Sequence, residues 1–507
     1  MTPNPSDDSS EKNSVDCSSL NDEPMLSNES YNKNFHIDET GLLTFQPSSP
    51  LKPKNWSVKK KLIYTISYSL VTFAAQLNST TTSSVYFVKE MKHNYNIGRE
   101  VSTLSISLYI LGIAFGPMVF APISEVYGRK IGVLIPFLIS CMFTFATAIS
   151  YNVPSLMICR FLAGVFSGAP VVSSGGVLAD LWEPAYRGAA LALYACVVAN
   201  GAAVGPVISS LLINSNSSHQ SWRIPQYFTG LLQGTMFTYV FFCTKETYEP
   251  VILQKIAKKE KIVSNKWEIH SEMDKWRINW GEIIRKHVYR PFKMLVTPIV
   301  FVMALFASYV FGILYLMITN ISTAYEFEHG WYGTTGELPN FALFIGIIFG
   351  CIINMLWAFR YAKMVKANGG KAIPEQRFPI MIMFGWMMPA GIFIFGWTSS
   401  PNIHWIVPMV GIMLTGCGFI SIFQGCLNYL VDLYPRYAAS AIAANTFLRS
   451  VFAAVFPLFA RQLFSNLGVH WGASLIAFFA LGMIPIPVVL FVFAERVRNM
   501  SKDLYID

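Results

Sequence analysis

The stretch APISEVYGRK, Ala121 to Lys130, puts a carboxylate, a glycine and two cations within six residues. Glu125, Gly128, Arg129 and Lys130 match no catalytic motif, and the chemistry their charges offer on so short a tether is reversible ion pairing. Gly128 permits a turn tight enough for Arg129 and Lys130 to fold back toward Glu125. Glu125 would sit at the negative end of a helix dipole, where a carboxylate needs another source of stabilisation. A Glu–Arg pair near a surface is worth about 0–1 kcal/mol, too little for a permanent staple and suited to a latch. The competing reading is that these charges merely flank helices.

Three other charges stand out because they lie inside or at the end of apolar runs. Arg160 lies about six residues into one apolar run, and a buried arginine in hydrocarbon costs about 3 kcal/mol or more. It should therefore face a wet cavity or a partner, or else snorkel to the headgroups. Arg449 lies deeper, ten residues into another run, where it would meet an anionic substrate group or helix carbonyls. Glu337, just ahead of a third run, is the candidate carboxylate for an outer vestibule.

The elements that must hold these charges are membrane helices. The 507 residues are 53% hydrophobic and 13% charged, against about 25% charged in soluble domains. A span needs about 20 apolar residues. Twelve such runs are readable, near 62–82, 101–123, 131–150, 155–178, 188–212, 222–243, 297–320, 338–358, 378–398, 404–430, 439–463 and 472–494. The expected division is a disordered cytosolic tail over 1–55, a six-helix half over 56–243 and a cytosolic central loop over 244–296. A second half over 297–494 and a cytosolic tail over 495–507 complete it. Seven of the eight cysteines, all but Cys17, fall inside the runs with no paired spacing, and read as small core residues.

The net charge of +9 does not form a nucleic-acid face, because the cations sit in the gaps between runs. With the N-terminus inside, the cytosolic segments from Lys52 onward hold 29 Lys and Arg, and the external loops hold four. That asymmetry sets the orientation and places Asn216, of an Asn-Ser-Ser sequon, outside as a candidate glycosylation site; an unused sequon is the alternative.

The halves also repeat. Asp180 maps to Asp432 at an offset of 252, while Pro184, Tyr186 and Pro206 map to Pro435, Tyr437 and Pro457 at 251. A GxxxG recurs as Gly112/Gly116 and Gly346/Gly350. Two repeats with a site between them is the architecture of a rocking secondary transporter.

Several motifs carry a family resemblance. APISEVYGRK resembles the signature loop of the major facilitator superfamily, in the form seen in fungal twelve-span drug:proton antiporters. LMICRFLAGVFSGAP is similar to that family's fourth-span motif, with Arg160 and Gly164 in place. GAAVGPVISS resembles the antiporters' fifth-span motif, where Gly201, Gly205 and Pro206 match and Ser209 and Ser210 replace the closing glycines. PEQRFP, NYLVDLYPRYAASA and LRSVFAAVFPLFA resemble the branch holding polyamine and multidrug exporters. The resemblance implies an all-α integral membrane protein of twelve transmembrane helices in two pseudo-symmetric six-helix halves. It implies that Glu125 braces the start of the eleventh helix at Ala438–Ser440, with Asp180 and nearby Arg187 joining the charge network. It gives Arg160 to proton coupling. Gly201, Gly205, Pro206 and Pro457 otherwise read as close-packing and helix-bending residues, and the resemblance adds a gating role.

Polar groups inside the runs are the candidates for the substrate site: Gln76, Asn428, Tyr429, Asn445 and Arg449, with Glu337 at the vestibule. Interhelical hydrogen bonding is the alternative for each. No run has a carboxylate near its middle, which weakens a polyamine assignment and leaves neutral or amphipathic drugs open. The expected function is proton-coupled antiport that exports drugs, toxins or polyamines by alternating access. The alternative is an uncoupled facilitator of a nutrient. No HExxH, P-loop or GxSxG is present, so no enzymatic activity is expected. The expected partners are the bilayer and a small-molecule substrate, with no nucleic acid, no metal and no cofactor beyond protons as coupling ion. A monomer in the plasma membrane is expected, with the vacuolar membrane as the alternative.

Overall fold

The computed structural model describes residues 34–215, 220–264, 267–275, 281, 285–369, 371–434 and 437–493. Long helices dominate them. Lipid offers no partner to a peptide group, so each apolar run must satisfy its backbone within itself. The first half contains α1 (Val58–Thr80), α2 (Val85–Tyr95), α3 (Arg99–Tyr127), α4 (Arg129–Ala148), α5 (Val153–Leu181), α6 (Pro184–Asn214) and α7 (Ile224–Cys243). The central interval holds α8 (Glu249–Ser264) and α9 (Arg290–Leu295). The second half contains α10 (Pro298–His329), α11 (Thr334–Glu337), α12 (Asn340–Ala367), α13 (Phe378–Phe384), α14 (Met387–Thr398), α15 (Ile406–Leu433), α16 (Ala438–Met483) and α17 (Pro485–Val492). Side-chain caps fix several starts: Ser57 accepts from the Lys60 N–H, Ser84 from Phe87 N–H and Asn152 from Ser155 N–H.

Each of the twelve expected runs lies largely on helix. Among the described residues, nine helical stretches are long and apolar enough to cross a bilayer, against the twelve expected. The last, Ala438–Val492, contains both final runs, which part where Gly468 takes a left-handed φ of 74°. α1 and α7 fall outside the nine because Ser, Thr, Gln and Asn dilute their apolar residues.

The repeat read from the sequence has a structural counterpart in how helices pair. In the first half α3 packs on α5, α4 on α5 and α1 on α6. In the second, α12 packs on α15, α14 on α15 and α10 on α16. The halves meet along two seams, α3 against α16 and α6 against α12. Both GxxxG motifs serve the same contact. A Cβ on Gly116 would lie 2.6 Å from the Gly168 Cα of α5, and one on Gly350 would lie 2.8 Å from the Cys417 carbonyl oxygen of α15.

The reading of residues 1–55 as a structureless tail does not hold for its described part. Strands β1 (Phe35–Ile37) and β2 (Leu43–Phe45) form an antiparallel hairpin with Phe35 opposite Phe45. Phe35 and Leu43 bury against Ala257 of α8 and Ile269, and Leu42 bridges to His270. A few apolar residues in a polar segment sufficed once the central loop supplied the other side of a small core.

The close α3–α5 contact predicts that Gly116→Leu destabilises the fold by about 1–3 kcal/mol through overpacking. Gly482→Ala, where a Cβ meets nothing within 4 Å, should leave the thermal midpoint of the detergent-solubilised protein unchanged. Equal midpoints for both variants would contradict the packing argument.

Candidate functional site

At the face carrying the central loop, α3 ends and α4 begins on Gly128, whose φ of 99° is in the region that favours glycine. α4 therefore starts without a capping side chain of its own. Glu246 supplies one from beyond α7: its carboxylate accepts the backbone N–H groups of Arg129 at 2.9 Å and Lys130 at 3.1 Å. A carboxylate at a helix N-terminus meets both the free N–H groups and the positive dipole end. The turn aims the Arg129 guanidinium at Asp180 on α5, with Nε donating to Oδ2 at 3.0 Å and Nη1 donating to Ser124 Oγ at 2.9 Å. The direct partner of Arg129 is thus Asp180, while Glu125 adds to the field around it. Lys130 donates to the Phe241 and Thr244 carbonyls at 2.7 and 2.6 Å, so it ties down the loop after α7. Tyr248 lies under Arg129, 4.7 Å from guanidinium to ring. Burial pushes its phenol above the ordinary value, and the Arg129 charge pulls the other way.

The second half carries the counterpart. Arg377, ahead of α13, donates from Nε to Asp432 Oδ2 at 2.8 Å, and the Tyr361 hydroxyl donates to the same oxygen at 2.8 Å. Arg377 stacks 3.6 Å above the Tyr361 ring. It also lies against Gly188 of α6, across the seam between halves. Arg187, from the first half, is within the fields of both Asp432 and Asp180. The Asp180–Asp432 repeat was legible; Arg377 and Glu246 were not singled out. The signal was available in PEQRFP, which opens the ninth run as GRK opens the third.

Between the halves is a cavity of about 350 Å³. It reaches the loop face at Glu125, Arg129, Arg187 and Ala438–Ser440, and its deep lining includes Gln76, Tyr194, Phe311, Phe423, Gln424, Thr446 and Arg449. Of the expected substrate residues, Gln76, Asn428 and Arg449 line this space. Tyr429 does not; it is buried against the Phe378 ring at 4.5 Å. Asn445 is wholly buried and also outside the lining.

Arg160 is fully buried, so it does not snorkel. Its Nη1 donates to the Asn78 carbonyl at 3.0 Å and to Asn78 Oδ1 at 3.1 Å. Its Nη2 donates to the Ser79 carbonyl at 3.3 Å and to Thr82 at 2.8 Å, and the guanidinium sits 4.8 Å from the Tyr109 ring. The partner anticipated for it is the C-terminal end of α1, the negative end of that helix. Gly201 and Gly205 pack against Phe73 and Thr80 of the same helix. Pro206 and Pro457 lie buried inside α6 and α16. Asn216 lies outside the described residues.

Away from the loop face the halves are closed. Glu337, 1% exposed, accepts the Val85 N–H of the first half at 3.0 Å, together with the Ser322 hydroxyl and Asn340 Nδ2 at 3.1 Å. It is buried in the contact between the halves rather than facing a vestibule. Lys89 pairs with Glu326 at 3.1 Å, Arg461 with Glu100 at 3.0 Å, and Ser79 meets the Tyr315 hydroxyl at 3.1 Å. Each of these contacts joins one half to the other.

Residues 68–457 match the family described as Major Facilitator Superfamily. The chain belongs to that superfamily. It is 35% identical over 467 residues to a major facilitator superfamily multidrug transporter of Candida albicans, covering 91% of this chain and 75% of the relative. It is 36% identical over 464 residues to a multidrug transporter of Candida glabrata, covering 90% and 80%. The proton:xylose symporter XylE has the same fold at a TM-score of 0.56 and 14% identity, covering 85% of this chain and 96% of the symporter. As a Major Facilitator Superfamily member the chain is a multi-pass membrane transporter and not an enzyme.

The charge pairs at the two faces differ in burial, which ranks them energetically. The Arg377–Asp432 side chains are 6% and 15% exposed, whereas Lys89 is 55% exposed against Glu326 at 19%. Asp432→Ala should cost about 3–5 kcal/mol by stranding a buried guanidinium, and Lys89→Ala about 0–1 kcal/mol. Thermal unfolding in detergent checks the ranking; equal losses would contradict it. Glu337→Ala removes the acceptor of the Val85 N–H. Amide exchange across residues 85–89 should quicken about 10- to 100-fold, with a smaller change in Glu337→Gln. Unaltered exchange would show that Glu337 does not hold the gate.

Proposed function

We propose that this chain is a proton-coupled antiporter that exports drug-like molecules across the plasma membrane of a fungal cell, acting as a monomer. The observation that carries this is the cavity between the halves, which reaches one face while buried contacts close the other. The cation asymmetry of the loops supports a cytosolic loop face and cytosolic termini. The cavity is then loaded from the cytosol, the direction export requires. The relatives named as multidrug transporters support the drug-like substrate class. Glu125 at the mouth, Asp180 bonded to Arg129 behind it, and Glu337 between the halves at the opposite face are candidates to take a proton. Arg160, which holds the end of α1 beside the gate, is the residue through which coupling would reach that helix.

The carboxylate-poor lining favours a second reading, an uncoupled facilitator. Glu125, at the mouth, is the only Asp or Glu among the described lining residues. Uptake into inside-out vesicles, with and without an imposed pH gradient, separates the two. The compounds are a panel of radiolabelled neutral, anionic and cationic drug-like molecules plus spermidine, each corrected for protein-free vesicles. Gradient-driven accumulation, lost in Glu125→Gln and Arg160→Ala, is the expected result. Flux indifferent to the gradient would replace antiport by facilitation.

A further inference from the structure

The deep end of the cavity is built around an arginine. Arg449 lies eleven residues into α16 from its loop-face start, a depth of about 17 Å at 1.5 Å per residue. That is close to mid-bilayer. Its guanidinium sits over the adjacent Phe311 and Phe423 rings, 4.9 and 5.1 Å from their centroids. Aromatic faces offset part of the desolvation of a cation but leave its edge donors unused. Its Nε has no protein hydrogen-bond partner.

Two other groups in the lining share this condition. Gln76 and Gln424 are 5% and 3% exposed, and each leaves its side-chain carbonyl oxygen without a protein partner. Native interiors rarely leave such groups unpaired, and where several line one cavity a ligand is the natural partner. The other charged lining residues, Glu125, Arg129 and Arg187, lie at the loop-face end, where Arg129 is bonded to Asp180. Deep in the cavity the field is therefore set by one cation. A cationic ligand would be repelled there, with no carboxylate to receive it. An anionic group supplies the missing partner in the planar, two-point geometry a guanidinium prefers. Phe311, Phe423 and Phe419 offer an apolar surface for the remainder of the molecule.

We propose that the cavity selects an amphipathic organic anion: an apolar, ring-bearing body whose carboxylate-type group pairs with Arg449, with hydroxyl or amide donors placed to meet Gln76 and Gln424. This rests on the export reading for its physiological sense but concerns only the ligand the cavity takes. A volume of about 350 Å³ falls in the range of small-molecule sites, about 300–1,000 Å³.

The test is equilibrium binding to the purified full-length protein of three probes with one ring system: 2-naphthoate, neutral 2-naphthamide and cationic 2-naphthylmethylammonium. Naphthoate should bind at least about ten-fold tighter than naphthamide, with the cation weakest. Arg449→Gln should weaken naphthoate about 10- to 100-fold and change naphthamide less than about two-fold. Arg449→Lys should retain a reduced preference for the anion. If Arg449→Gln does not fold, the wild-type ranking and Arg449→Lys decide the matter. Naphthoate binding no tighter than naphthamide, binding of none of the probes, or an unchanged preference in Arg449→Gln would each overturn the proposal. Gradient-driven export of a neutral compound is followed in the same preparations. Its absence would sink the export reading while leaving the binding ranking to judge the anion, and its persistence with no anion preference would do the reverse.

Discussion

The Arg129–Asp180 bridge and its repeat, Arg377–Asp432, are the interactions on which the loop face depends. Each joins the start of one apolar run to the end of the run that follows it, where a turn would otherwise leave helix ends and charges facing a low-dielectric interior. A lone guanidinium or carboxylate there is expensive, so each is tolerable only beside the other. Further groups complete each bridge: Ser124, Glu246 and Tyr248 around the first, Tyr361 around the second. The two clusters approach each other across the seam at Arg187 and Gly188.

The opposite face solves the same problem with different means. Glu337 is buried and bonded on both sides of the seam, whereas Lys89–Glu326 and Arg461–Glu100 are partly solvated. Closure there combines one costly buried acceptor with two weak surface pairs. Arg160 stands beside it, fastening the end of α1 through carbonyls rather than through an opposite charge.

Much of the fold was legible because hydrocarbon imposes length and polarity on every segment that crosses it. The apolar runs, the long central interval and the repeated Asp180 and Asp432 follow from that constraint. Helix partners were less legible. Tyr429 and Asn445 flank the repeat as closely as Asn428 does, yet only Asn428 lines the cavity. In a helix apolar all round, periodicity does not say which face is inward, so spacing could not separate them. The hairpin at Phe35–Phe45 was missed for another reason: its core is completed by α8, far along the chain.

The amino-acid sequence by itself determined the class of protein, the repeat, the residues able to form a latch and the depth at which Arg160 and Arg449 must sit. These depend on local polarity and on distance along a helix. Only the tertiary structure decided that Arg129 bonds Asp180, that Glu246 caps α4, that Glu337 bonds across the seam, and that Arg449 faces a cavity beside two unpaired amide oxygens. Those outcomes depend on which helices become neighbours. The energy of a charge in hydrocarbon demands a partner without naming it, and only packing brings one within reach.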